Sequence, residues 1–227
     1  MSLVKSQGNM YDWVTHMHTH LGGECSHKCS YCYVQRGRAQ VSGKYKGPIR
    51  LIEKELQVNY GEGKTIFIEH MNDMFAKDIP GEWIERILAH CFQYSKNKYV
   101  FQSKNPERAS GFAFVALDYI FGTTIESNRF YPEHSKAPAP ISRYEGMMNI
   151  SAKKFITIEP IMDFDVNVLA GWIKNIKPEF VNIGADSKHS GLPEPPKEKI
   201  LGLVAKIREA GIEIRKKVNL ERILEKP

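Results

Sequence analysis

The sequence predicts an α/β fold with a mainly parallel sheet, built as one domain over residues 1–227. Short runs rich in β-branched and aromatic residues alternate with amphipathic stretches of helical length, which is the pattern of successive βα units. Two proline-rich connections, residues 131–140 and 191–196, each follow a strand, and parallel α/β folds carry function on loops at that carboxyl side. The chain has no linker, low-complexity tract or solenoid repeat, and 227 residues are few for eight complete βα units, so an open or partial barrel is expected.

In order, the strands fall at residues 11–18, 65–69, 99–102, 119–124, 155–159 and 180–184, with a shorter seventh at 212–215. The intervening helices fall at 48–60, with Pro48 in the first turn, then 81–94, 141–150, 165–176 with Asp165 as N-cap, and 197–210 closed by Gly211. Residues 106–117 suit either state. A hydrophobic fraction of 42% with 11% aromatic residues supports a full core and excludes a disordered tail or a disulfide miniprotein. No apolar run reaches the ~20 residues that cross a bilayer, and the N-terminus is polar, without a signal-peptide core; a soluble, cytoplasmic protein is expected. The net charge of +6 leans toward a polyanionic partner such as nucleic acid.

Of four cysteines, Cys25, Cys29 and Cys32 fall within eight residues, too close together to act as a disulfide framework and spaced to bind metal. Cys91 recurs with Trp83, Ile84, Ile87, Leu88 and Phe92 on one helical face and is expected in the core. The loop at residues 24–33 follows the first strand, and its x3 and x2 spacings let three thiolates hold an iron-sulfur cluster or zinc while one position stays open. A structural zinc site with a histidine as fourth ligand is one alternative. Another is a barrel-fold hydrolase, in which His16, His18 and His20, alternating along a strand, would hold a water-activating metal with help from His70 and Asp186. His27 is expected to be exposed, as loop residues commonly are.

The Cys-x3-Cys-x2-Cys spacing, with aromatic Tyr31 just before the last cysteine, resembles the signature of the radical SAM superfamily. The resemblance implies a partial (β/α)6 TIM-type barrel. It also implies a 4Fe-4S cluster held by Cys25, Cys29 and Cys32, with S-adenosylmethionine on the fourth iron, an external electron donor, and a 5′-deoxyadenosyl radical that abstracts hydrogen from substrate. Further blocks extend the resemblance to a phage-associated branch: residues 66–75, Phe101 to Arg108, Gly122 to Ser127, Thr157 to Pro160 and Val181 to Ser187. Where most of the superfamily carries Gly-Gly-Glu, this chain runs Glu69 to Asp73, so the resemblance puts the methionine amino group on Asn72 or Asp73. It puts the carboxylate and ribose on Lys104, Glu126 and Ser127, the adenine against the bare backbone of Gly184, and Glu159 in the substrate cavity. With the basic charge, this suggests a nucleobase or nucleotide substrate, free or within DNA, for modification or repair. No second cysteine set exists for an auxiliary cluster.

Overall fold

In the computed structural model, which describes residues 3–7, 10–36 and 43–225, the strands are β1 (Val4–Lys5), β2 (His16–His18), β3 (Leu21–Gly22), β4 (Arg50–Leu51), β5 (Thr65–Ile68), β6 (Lys98–Gln102), β7 (Asp118–Thr124), β8 (Lys153–Ile158), β9 (Phe180–Ile183) and β10 (Glu213–Lys216). The helices are α1 (Tyr33–Arg36), α2 (Gly81–Gln93), α3 (Pro106–Ala109), α4 (Pro140–Met148), α5 (Val166–Ile176), α6 (Lys197–Glu209) and α7 (Glu221–Leu224). Eight strands form one sheet in the order β1-β2-β5-β6-β7-β8-β9-β10. Every pair in it is parallel except the β1–β2 edge. Among the described residues no helix is long and apolar enough to cross a membrane.

Alternation along the strands divides the core in two. Ile66, Ile68, Tyr99, Phe101, Phe121, Ile156, Ile158, Val181 and Ile183 pack outward into the helix layer. Met17, Phe67, Val100, Phe155 and Phe180 pack on the inner face, joined by Tyr11 and Trp13. Inward contacts are tight: a Cβ on Gly122 would lie 2.2 Å from the Phe155 ring. Cys91 is fully buried on α2, as expected.

Two expected elements are corrected. Only His16–His18 of residues 11–18 is strand, because a turn closed by Val14 N–H on the Tyr11 carbonyl (2.9 Å) folds the preceding segment under the barrel. There Tyr11 and Trp13 stack at 5.6 Å and meet the Phe155 ring edge-on. The expected helix at 48–60 is instead β4 followed by a 3-10 turn, Glu53–Gln57. Antiparallel pairing of Leu51 with Leu21 and of Arg50 with Gly22 draws this segment out as a strand, and Glu55, buried and bound to Lys44 at 2.9 Å, fixes the turn that follows.

Candidate functional site

The cysteine loop sits at the carboxyl end of β2, clamped from both sides. Gly23 N–H donates to the Lys44 carbonyl at 2.7 Å and Glu24 N–H to that of Gly47 at 3.0 Å. Gly23 has φ +87, and a Cβ there would stand 2.1 Å from the Pro48 carbonyl oxygen, so only glycine fits this approach. From the loop after β7, Ser30 N–H donates to His134 O at 2.8 Å and Lys136 N–H to His27 O at 2.7 Å. The Ser135 hydroxyl lies 3.2 Å from Cys29 Sγ.

All three thiols are half-buried. Burial pushes the Cys25 thiol up to about 12, and the neighbouring charge of Asp73 and the other two thiols add to this. Burial raises Cys32 as well, while Lys104 acts in the opposite sense. Among the described residues no three His, Cys, Asp or Glu side chains converge on one ion position.

His27 is buried, not exposed. Its Nε2 lies 2.8 Å from Asp73 Oδ2, and Asp73 also accepts from Ser103 Oγ (2.8 Å), Lys104 N–H (2.8 Å) and Phe75 N–H (3.0 Å). Burial acts to raise the Asp73 pKa, but the His27 partner and these donors win and hold it below the ordinary carboxylate value. Asp73 thus ties the cysteine loop to the ends of β5 and β6. Asn72 reaches the same loop from beside it, its Nδ2 donating to the Gly23 carbonyl at 3.2 Å.

Tyr31, Lys104 and Glu126 meet in one set. The Tyr31 hydroxyl and the Lys104 ammonium both donate to Glu126 Oε1, and Lys104 Nζ lies 3.0 Å from the Tyr31 hydroxyl. A residue that sequence reasoning missed completes it: Arg143 on α4, 3% exposed, donates to Glu126 Oε2 at 2.6 Å and to the Thr124 carbonyl at 3.0 Å. Burial works to raise the Glu126 pKa, yet Arg143 and Lys104 bring it down to about 2. Burial, then the Glu126 charge, raises Tyr31 well above the ordinary phenol, so its proton stays in place. The signal for Arg143 was present, since it shares the buried face of α4 with Pro140 and Met147, and a charge on such a face needs a buried partner.

Ser127 and Gly184 are bonded elsewhere. Ser127 Oγ donates to the Asp163 carbonyl at 2.6 Å and accepts from Arg129 N–H at 2.9 Å. The space that a Gly184 Cβ would take is filled by Glu159, whose Oε1 lies 2.8 Å from that position and accepts from Asn219 Nδ2 at 2.9 Å. Inside the barrel, Tyr11 Oη donates to Gln102 Oε1 (2.9 Å) and lies 2.7 Å from Thr157 Oγ1, while Gln102 Nε2 donates to Thr124 Oγ1 at 2.9 Å. Amides and hydroxyls therefore form a polar layer on the inner face near the carboxyl ends of the strands.

The histidine run does not face that layer. His16 and His18 pair in register with Ile66 and Ile68, so His18 points into the helix layer, where its Nε2 meets the Glu55 carbonyl at 3.2 Å. His20 and His90 are linked at 2.9 Å and Glu69 binds His20 at 2.7 Å. These imidazoles are spent in the core, away from the cysteine loop. His70, a further ligand in the hydrolase reading, is bound to Thr19 Oγ1 at 2.9 Å.

No family model matches the sequence, and no curated protein does. Among solved structures, a spore photoproduct lyase variant with bound AdoMet and dinucleoside spore photoproduct superposes at TM-score 0.63 and 12% identity, covering 91% of this chain and 78% of the lyase. The chain shares its fold with spore photoproduct lyase. A second lyase structure, complexed with dinucleoside spore photoproduct, gives TM-score 0.64 at 13% identity over 92% of this chain and 79% of that one. Streptococcus suis SuiB bound to S-adenosylmethionine gives 0.58 at 10% identity over 88% of this chain and 50% of SuiB. The partial α/β barrel implied by the sequence resemblance is thus the fold observed.

Proposed function

We propose that the chain is a radical SAM iron-sulfur enzyme in which Cys25, Cys29 and Cys32 hold a 4Fe-4S cluster. The observation that carries this reading is the three-thiol loop at the carboxyl end of β2, with Tyr31 of that loop bonded to the buried Lys104–Glu126–Arg143 set. When bound, the cluster and S-adenosylmethionine supply reductive cleavage to a 5′-deoxyadenosyl radical, with the electron coming from an external donor. The protein's part is to bind, orient and shield. Lys104 offers a cation for the methionine carboxylate, Glu126 an acceptor for ribose hydroxyls, and Asn72 a short polar side chain beside the loop. Asp73 acts through His27 and Lys104 N–H, holding the loop in place. The reading needs the Tyr31–Lys104–Glu126 contacts to open for the cofactor, and for Ser127 and Gly184 the Asp163 and Glu159 contacts to rearrange on binding.

The polar inner layer of Tyr11, Gln102, Thr124 and Thr157, joined by Asn182 whose Nδ2 donates to Thr157 Oγ1 at 3.4 Å, carries donors and acceptors of the kinds that a nucleobase edge presents. With the +6 charge, this favours a nucleobase or nucleotide substrate, free or within DNA, for modification or repair. The resemblance to a phage-associated branch belongs to the same reading, as does a cytoplasmic setting, where an electron donor is at hand.

Anaerobic reconstitution with iron and sulfide tests it. About four irons per chain, absorbance near ~400 nm and formation of 5′-deoxyadenosine under reducing conditions are expected. Cys29→Ala should lose all three while its far-ultraviolet circular dichroism and thermal midpoint stay near those of the unloaded parent. A colourless protein with one tightly held zinc would overturn the reading.

A further inference from the structure

We propose that the N-terminal mouth of the barrel, at the end opposite the cysteine loop, binds a small aromatic anion. A cavity of about 330 Å³ opens there, lined at its rim by Lys98, Asp118, Lys153 and Arg215 and at its floor by Trp13 and Phe180. The volume lies at the small end of the range for small-molecule sites, roughly 300–1,000 Å³, which suits one or two fused rings.

The strands themselves create the cavity. Lys98, Asp118 and Lys153 are the first residues of β6, β7 and β8, and side chains two residues further along each strand, such as Val100 and Phe155, face inward. The rim residues therefore stand above the apolar inner core. The register sets Lys98 beside Asp118, yet among the described residues neither they nor Lys153 form an ion pair. Arg215 is held by Glu213 at 2.7 Å, and its guanidinium lies 3.5 Å over the Phe180 ring. Three cations, Lys98, Lys153 and Arg215, against two carboxylates, Asp118 and the Glu213 that holds Arg215, leave the entrance over the ring floor net positive.

The second observation lies at the floor. Trp13 Nε1 is the single buried side-chain N or O atom without a hydrogen-bond partner among the described residues. Orphans of this kind are uncommon in folded proteins and call for an explanation. Trp13 packs against Tyr11, Phe155 and Phe180, so an aromatic guest that parts this stack gains ring contacts, and its acid oxygen supplies the missing acceptor. Lys98 and Lys153 then neutralise the acid group. A carboxylate and a phosphate ester both carry the acid chemistry that the site recognises.

Calorimetric titration of the cluster-free chain with 2-naphthoate, 2-naphthyl phosphate and neutral 2-naphthol tests the site independently of any radical chemistry, so its failure leaves the cysteine reading intact. At least one anion should bind about tenfold or more tightly than 2-naphthol, and the stronger one identifies the preferred acid group. Lys98→Ala/Lys153→Ala should abolish that preference with the thermal midpoint kept. Trp13→Phe, which keeps a ring and removes the N–H, should weaken the anions and spare 2-naphthol. No heat from any probe at millimolar concentration, or anion affinity unchanged in the double lysine variant, would overturn the proposal.

Discussion

At residue scale, Glu69 shows how hydrogen-bond accounting fixes a protonation state. His90 Nε2 must donate to the Val58 carbonyl, 3.0 Å away, which leaves its Nδ1 as an acceptor. His20 Nε2, 2.9 Å from that nitrogen, then carries a proton, with the Tyr60 hydroxyl 3.1 Å away as a second acceptor, so a neutral His20 accepts at Nδ1 from Glu69, 2.7 Å away. Glu69 is therefore the protonated partner, in keeping with burial pushing its pKa up to about 7. Its Oε1 still accepts from His20 N–H at 2.6 Å. Infrared difference spectra at pH 6 should show a protonated-carboxyl stretch that disappears in Glu69→Gln, and the same variant should lose about 1–3 kcal/mol, because an amide oxygen kept on His20 N–H turns its NH2 toward Leu21 N–H, which Glu69 Oε2 accepts at 3.3 Å. Identical spectra would mean that Glu69 is ionised and His20 carries two protons. At Glu126 the accounting is different, because Arg143 and Lys104 both rest on an ionised carboxylate. Glu126→Gln strands a buried guanidinium, and urea unfolding should show a loss on the order of 3 kcal/mol.

At the scale of elements, periodicity made the strands and long helices legible, whereas features set by contacts distant in sequence were not. Helices α2, α5 and α6 lie within a residue or two of their expected spans because each buries one apolar stripe against the sheet. The 48–60 segment has a helical pattern too, but its pairing with Leu21–Gly22 and the Lys44–Glu55 contact come from elsewhere in the chain and override it. The cysteine loop was readable from spacing, whereas Tyr31, Lys104 and Glu126 were singled out only by the family resemblance. Arg143, His27 and Tyr11 act through partners that only the fold brings near. The β7–β8 contact offers a test of how tightly the inner face is packed. Gly122→Ala places a methyl group inside the Phe155 ring and should cost about 1–3 kcal/mol by overpacking. Adding Phe155→Leu to Gly122→Ala should cost less than the sum of the two single changes, measured as urea midpoints in a double-mutant cycle.

Across the whole molecule, the buried titratable groups act together on acid stability. Burial, as the leading cause, lowers His18 to about 3, His70 to about 4 and His90 below its ordinary value of 6.5. As pH drops below about 6.5, the unfolded chain binds protons at these histidines that the folded chain refuses, and stability falls. Glu126, ordinarily near 4.5 and here about 2, adds a second loss as pH falls through that window, and Asp73 shifts in the same direction. Glu69 opposes them. Its raised pKa gives stability that is fully present below about 4.5 and lost as pH rises through about 7, but it is one group against four histidines, since burial lowers His20 as well. Urea midpoints should therefore fall steadily from pH 7 to pH 4, with a slope of at least one proton, about 1.4 kcal/mol per pH unit, between pH 6 and 5. His18→Gln should reduce the slope by about one proton from about pH 6 down to about pH 3, where His18 itself titrates in the fold, and leave the separate losses from Glu126 and Asp73 in place. A curve flat from pH 7 to 5 in the parent would mean that the imidazoles take up protons inside the fold, and that the helix layer behind β2 is open to water.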